Sequence, residues 1–123
     1  MRILIVDDDE MLLDFLRLAL ESLGHEVEAA RNGVDALRKL RASPRPVVIC
    51  DWVMPGMNGL ELCRHIRAEM GEDGVYIIML TGRDGRSDQV DGRFAGADDF
   101  LPKPPDIQEL ASSIRTAQQM LAM

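Results

Sequence analysis

The chain has 123 residues, with 21 Asp+Glu against 14 Lys+Arg and a formal net charge of −7. That length fits one domain over 1–123, which buries roughly two-thirds of the surface its unfolded chain exposes and needs no disulfide or metal to fold. A hydrophobic fraction of 46% excludes a disordered tail, and the acidic balance argues against direct nucleic-acid binding or docking on an anionic membrane.

The first apolar run is Ile3, Leu4, Ile5 and Val6, and it meets Asp7, Asp8, Asp9 and Glu10. It is too short for a signal peptide, and no stretch approaches the length of a membrane span, so a cytoplasmic protein is expected. The run is continuous rather than alternating, which predicts a strand buried on both faces. Leu12, Phe15, Leu16, Ala19, Leu20 and Leu23 then fall on one helical face, with Gly24 as the stop. Val27 and its neighbours predict a weaker, more polar edge strand. After Asn32 and Gly33, the stripe Val34, Leu37, Leu40 predicts a second helix. A second buried strand is expected over 47–50, meeting Asp51. Leu62, Ile66 and Met70 mark a third helix that Asn58 can cap.

The run 75–80 predicts a strand that ends at Thr81. A fourth helix is expected over 85–96, but a poor one. Val90 and Phe94 are its only large apolar residues, and Gly92 inside it costs about 1 kcal/mol. Phe100 and Leu101 make a very short last strand, followed by Lys103. Asp106 is the expected N-cap of the last helix, with Glu109 three residues on as a variant capping box. Ile107, Leu110, Ala111, Ile114, Ala117 and Leu121 hold one face of that helix. No glycine stops it before Met123, as if it continued into a linker helix, so a stand-alone domain and a domain cut from a longer protein are both open readings.

Strand and helix alternate five times. This predicts an α/β fold: a doubly wound, parallel, five-stranded sheet in the flavodoxin-like order 2-1-3-4-5. Strands 1 and 3 are then neighbours, and a ligand site lies at their carboxyl ends. Asp7, Asp8, Asp9, Asp51, Thr81 and Lys103 all fall at that end of successive strands. An acidic run alone is most often a solvated face, and Asp51 alone would serve as a turn or helix cap. The coincidence of all these groups at one end favours a site.

Carboxylates gathered there repel one another unless a cation neutralises them. Mg²⁺ prefers such oxygen ligands and keeps waters. A carboxylate beside Mg²⁺ is a nucleophile toward phosphorus, a lysine offsets charge on the transferring group, and a hydroxyl donates to a phosphoryl oxygen. Asp51, Asp8, Lys103 and Thr81 fit these roles. Cys50 and Cys63 lack metal-ligand spacing and read as small buried hydrophobes, and His25 and His65 stand alone.

The stretches 3–8, 51–62, 79–82 and 96–104 together resemble the receiver domain of bacterial two-component response regulators, in the family's order along nearly the whole chain. The resemblance implies a phosphoacceptor signalling domain rather than an enzyme. Asp51 would take a phosphoryl group from a phosphohistidine on a sensor histidine kinase or a histidine phosphotransfer protein. Asp8, Asp51 and the carbonyl of Val53 would bind Mg²⁺, with Asp7 helping through a water. Lys103 would pair with phosphoryl oxygens. Thr81 would swing onto the phosphoryl group, and Phe100 would turn inward into the vacated space. That movement would reshape the face made by the helix over 85–96, the last strand and the last helix, where a partner or a second copy would bind.

Several positions depart from the family's usual residues. Gly82 follows Thr81, where alanine is common. Phe100 replaces tyrosine. Val53 and Arg83 stand at positions that tune phosphoryl lifetime. Lys103-Pro104 is expected to be cis. Pro105 replaces an aromatic, and Pro102 would shorten the last strand.

Three rivals fit less well. A haloacid-dehalogenase-like phosphatase would use Asp7 and Asp9, but Met11 stands near where that family needs a hydroxyl, and no cap insertion is present. A flavodoxin-like cofactor binder would need a Ser, Thr and Gly loop after strand 1, not four acids. A degenerate receiver, binding partners without phosphorylation, would lack a site residue, and none is missing.

Overall fold

The computed structural model describes residues 1–71, 73–82 and 95–122. Five strands, β1 (Arg2–Val6), β2 (Glu26–Ala30), β3 (Val47–Asp51), β4 (Tyr76–Thr81) and β5 (Asp99–Pro102), form one sheet. All pairings are parallel, in the order β2-β1-β3-β4-β5. The expected strand order is therefore found. Four helices are described: α1 (Glu10–Ser22), α2 (Gly33–Ala42), α3 (Gly59–Met70) and α4 (Ile107–Leu121). The helix expected over 85–96, with Val90, Gly92 and Phe94, lies outside the described residues except at its last two positions. Arg83 lies outside them as well.

Alternation along the strands feeds two cores. Ile3, Ile5, Ile49 and Ile78 face α1 and α4, where Leu16, Leu20, Leu110 and Ile114 meet them. Leu4, Val48, Cys50 and Ile77 face α2 and α3, against Leu37, Leu40, Leu62 and Ile66. Every residue of β3 and β4 is buried. A parallel sheet covered on both faces demands such unbroken apolar runs. Each fully buried aliphatic side chain contributes roughly 1.5–3 kcal/mol.

Several local expectations are corrected. Phe15 and Leu23 are 39% and 43% exposed and Val34 is 67% exposed, while Leu13 and Ala36 are buried in their stead. The apolar stripes of α1 and α2 are thus rotated toward the helix neighbours that the sheet provides. Val75 precedes β4 rather than opening it, though it is buried. Pro102 does not shorten β5: it is the strand's last residue and pairs with Thr81. β5 is an edge strand, where the missing N–H of proline is tolerated. Asp106 occupies the N-cap of α4, but its side chain makes no capping hydrogen bond. Ile107 is 46% exposed, and Ser113 is buried on the inner face.

Other signals hold. Asn58 and Glu61 form a full capping box at α3, and Asn32 Oδ1 accepts from the Asp35 N–H at 2.7 Å to start α2. Gly24 follows α1 with φ +90°, a left-handed turn that glycine makes without steric cost. Among the described residues, no helix is long and apolar enough to cross a membrane.

Candidate functional site

Register sets the site. Asp51 ends β3 opposite Leu80, and Thr81 ends β4 opposite Pro102. β1 ends at Val6, so Asp7 and Asp8 emerge beside Asp51. Lys103 follows β5, and its N–H donates to the Thr81 carbonyl at 2.8 Å. That bond ties the loop after β5 to the end of β4.

The side chains then converge. Lys103 Nζ lies 2.8 Å from Asp51 Oδ2 and 3.2 Å from Asp7 Oδ2. Asp7 is fully buried and Asp51 is 2% exposed, whereas Asp8 is exposed at the mouth. Asp7 Oδ1 accepts from the Asp9 N–H at 2.8 Å. Asp7 Oδ2 has no donor in hydrogen-bond geometry; the lysine beside it is an ion pair only. Asp51 Oδ1 accepts a long bond, 3.3 Å, from the Val53 N–H. Val53 itself is 73% exposed, on the loop that leaves β3.

Burial pushes the Asp7 carboxyl above its ordinary value. The charge of Asp51 pushes the same way, and the Asp9 N–H and Lys103 offset only part of this. Burial lowers Lys103, but the hydrogen bond and charge of Asp51, then the charge of Asp7, overcome it and hold the ammonium above its usual value.

Carboxylate oxygens of Asp7, Asp8 and Asp51 all lie within 4.8 Å of one another. Three acids face one lysine, so negative charge is left uncompensated. An orphaned buried oxygen, an exposed carboxylate and a nearby main-chain loop form an all-oxygen donor set, which suits a hard divalent cation. The residues present therefore fit a Mg²⁺-type ion.

Asp9 belongs to the fold. Its carboxylate caps α1, accepting from Met11 N–H at 3.0 Å. Thr81 is buried at the end of β4. Phe100 is half-buried and packs against the core between the sheet and α3. Lys103-Pro104 is cis. Cys50 and Cys63 are free and buried; burial raises the Cys50 thiol and pushes Cys63 up to about 11.

Sequence reading missed three supports. Gly59 starts α3 against the backbone of Asp51 and Trp52, with no room for a Cβ. Ser113 donates to the Asp99 carboxylate, joining α4 to β5. Arg67 reaches from α3 to the carbonyls of Gly96 and Val75 and to Asp98. A glycine opening a helix behind a capped asparagine is a visible signal; the two polar pairs have none, because their partners lie 14 and 31 positions apart.

Comparison with known proteins agrees with this geometry. The family model described as "Response regulator receiver domain" matches residues 3–115. Response regulator MprA of Mycobacterium avium is 47% identical over 116 residues, which cover 94% of this chain and 50% of that protein. The chain thus spans about half the length of the curated relatives it matches. Among solved structures, a CheY-like response regulator receiver domain protein from Methanospirillum hungatei superposes with a TM-score of 0.88 at 32% identity, covering 97% of this chain and 94% of that one. Vibrio cholerae chemotaxis protein CheY4 gives 0.88 at 29% identity, covering 94% of this chain and 97% of that one. A sheet of matching order, an acidic pocket at its carboxyl end and a family match across most of its length place the chain in the response regulator receiver domain family of two-component signalling.

Proposed function

We propose that Asp51 is the phosphoacceptor of this receiver domain. The observation that carries the reading is the Asp51 carboxylate: buried, at the end of β3, paired with Lys103 at 2.8 Å and beside two further acids. A carboxylate oxygen of Asp51 attacks phosphorus and an O–P bond forms. The P–N bond to a histidine of a sensor kinase or phosphotransfer protein breaks, and the imidazole keeps the electron pair. Lys103 stands where its ammonium meets phosphoryl oxygens. Thr81 supplies a hydroxyl at the neighbouring strand end.

Asp8, Asp51 and the Val53 carbonyl would hold Mg²⁺, with Asp7 acting through a water. When bound, the ion supplies positive charge against the carboxylates and the phosphoryl oxygens. Asp7 lines the buried wall of the pocket, and Lys103 sets its ammonium 2.8 Å from the Asp51 carboxylate.

The switch runs through Thr81 and Phe100. Thr81 moves onto the phosphoryl group, and Phe100 turns further inward. The outer face of β5 and α4 changes and meets a partner, a second copy of the chain, or an attached output domain. A local charge event thereby biases a two-state element.

Trp52, next to Asp51, is the reporter. Mg²⁺ changes its fluorescence, and beryllofluoride, a phosphoryl mimic, changes it further. An Asp51→Asn protein that responds to beryllofluoride as the wild type does would refute the assignment.

A further inference from the structure

The loop that leaves β3 carries Val53, and its ends are well tied. Trp52 N–H donates to the Leu80 carbonyl at 2.9 Å, and Gly59 N–H donates to the Trp52 carbonyl at 3.0 Å. Between them the chain turns at Gly56, with φ +74°. Packing holds the two methionines of this stretch. Met54 is buried in the core, and Met57 packs against the same core from the other end of the turn.

Met57 also lies on Gly33, the first residue of α2. A Cβ built on Gly33 would sit 2.7 Å from Met57 Sδ and 3.0 Å from both Met57 Cβ and Cγ. The thioether end can swing away, but the Met57 Cβ is fixed to its backbone. Gly33 does not have a positive φ. What the position needs is therefore space and not conformational freedom. The two sides are unequal in stiffness. On the α2 side, Asn32 Oδ1 caps Asp35 N–H and the Asn32 carbonyl accepts from Ala36 N–H. A larger residue at 33 therefore displaces the loop, not the helix. Gly33 and Met57 wall an open groove of about 700 Å³ that also touches Asp8.

We propose that Gly33 and Met57 form a latch across this groove, and that closure of the latch positions the Val53 loop for the cation at the candidate site. The inference rests on the phosphoacceptor reading above. Gly33 and Met57 are positioning residues: neither touches the reacting atoms, and each acts through the loop.

The test compares the 123-residue wild-type chain, Gly33→Ala, Met57→Ala and the double variant. Mg²⁺ titrations are followed by Trp52 emission. Amide hydrogen exchange at Val53 and Met54 is measured without metal, and urea unfolding reports global stability. Gly33→Ala is expected to weaken Mg²⁺ binding about tenfold, as loss of a group orienting a metal ligand does, and to speed exchange at Val53 and Met54 beyond any change in global stability. Once Met57 is truncated the contact is already gone, so adding Gly33→Ala to Met57→Ala is expected to bring little further loss. Wild-type affinity and exchange in Gly33→Ala overturn the latch, as does a double variant whose loss is the sum of the two single losses. If Gly33→Ala does not fold, Met57→Ala decides: faster exchange at Val53 supports the latch, and wild-type exchange overturns it. A wild-type protein blind to Mg²⁺ sinks the phosphoacceptor reading instead, and the exchange data then judge the latch alone.

Discussion

Lys103 Nζ stands 2.8 Å from Asp51 Oδ2 and 3.2 Å from Asp7 Oδ2, so one ammonium serves two buried carboxylates. Lys103 and Asp7 come from the loops after β5 and β1, Asp51 is the last residue of β3, and Lys103 reaches past the end of β4 to meet them. Its backbone is pinned to Thr81, which keeps the reach short. The pair is electrostatically incomplete, because Asp8 adds a third carboxylate.

Replacing Lys103 tests that balance. Lys103→Ala leaves Asp7 and Asp51 with no cation. The lysine is 30% exposed, so water softens the loss, and a cost of about 1–3 kcal/mol is expected in EDTA. Mg²⁺ should still bind and should return most of that stability. Phosphorylation-dependent binding of a partner should be lost. Urea midpoints with and without Mg²⁺ check the first claim, and equal midpoints in EDTA for variant and wild type would refute it.

Asp7 carries a pH signature. Burial, then the Asp51 charge, raises its carboxyl above the ordinary aspartate value. The folded state therefore holds that proton more tightly than the unfolded chain does. By linkage, this group's contribution to stability falls as pH rises from about the unfolded value through the raised folded value. Asp7→Asn removes the ionisation. In EDTA at pH 7 the variant should melt a few degrees higher than wild type, at about 4–8 °C per kcal/mol for small domains. The gap should close as pH falls toward 4. A wild type that melts above the variant at pH 7 in EDTA would contradict this.

The strands were legible because β1, β3 and β4 are covered on both faces and so carry unbroken Ile and Val runs. Their carboxyl ends then located Asp7, Asp8, Asp51 and Thr81, and the end of the short β5 located Lys103. The helix faces were only half legible. Periodicity names a stripe, but which edge of it is covered depends on the neighbour, so Phe15 and Val34 are exposed while Leu13 and Ala36 are buried. The Asp106 motif located the start of α4, yet spacing does not fix a rotamer, and its carboxylate makes no cap bond. The contact of Gly33 with Met57 had no signal, since it joins the first residue of α2 to the loop after β3 across the groove.

Gly59 is expected to be intolerant of any side chain. A Cβ there would collide with the Asp51 carbonyl oxygen and lie 2.9 Å from Met79 Sδ and 3.0 Å from Trp52 Cα. Two of these are backbone atoms, which cannot step aside. Gly59→Ala should cost about 1–3 kcal/mol through overpacking. Gly74 has open space and no positive φ, so Gly74→Ala should stay within about 0.5 kcal/mol of wild type. Urea unfolding of the two variants side by side checks the contrast; similar costs at both sites would remove the packing explanation.

Arg67 fastens α3 to two distant segments. Its Nε donates to the Gly96 carbonyl at 2.9 Å, Nη1 to Val75 at 2.6 Å, and Nη2 to Asp98 Oδ2 at 2.6 Å. The same Asp98 oxygen accepts from Ile77 N–H at 2.8 Å, so the arginine also steadies the opening of β4. Gly96, at φ +106°, leaves the space in which the Arg67 stem lies. A lysine keeps the charge but concentrates its donors at one point and cannot span three acceptors. Arg67→Lys is therefore expected to cost about 2–4 kcal/mol, most of it from carbonyls and a carboxylate left short of donors. A double-mutant cycle with Asp98→Asn should return a coupling of about 1–3 kcal/mol between the two side chains. If Arg67→Lys unfolds within about 0.5 kcal/mol of wild type, charge alone accounts for the residue and its fork of hydrogen bonds contributes nothing.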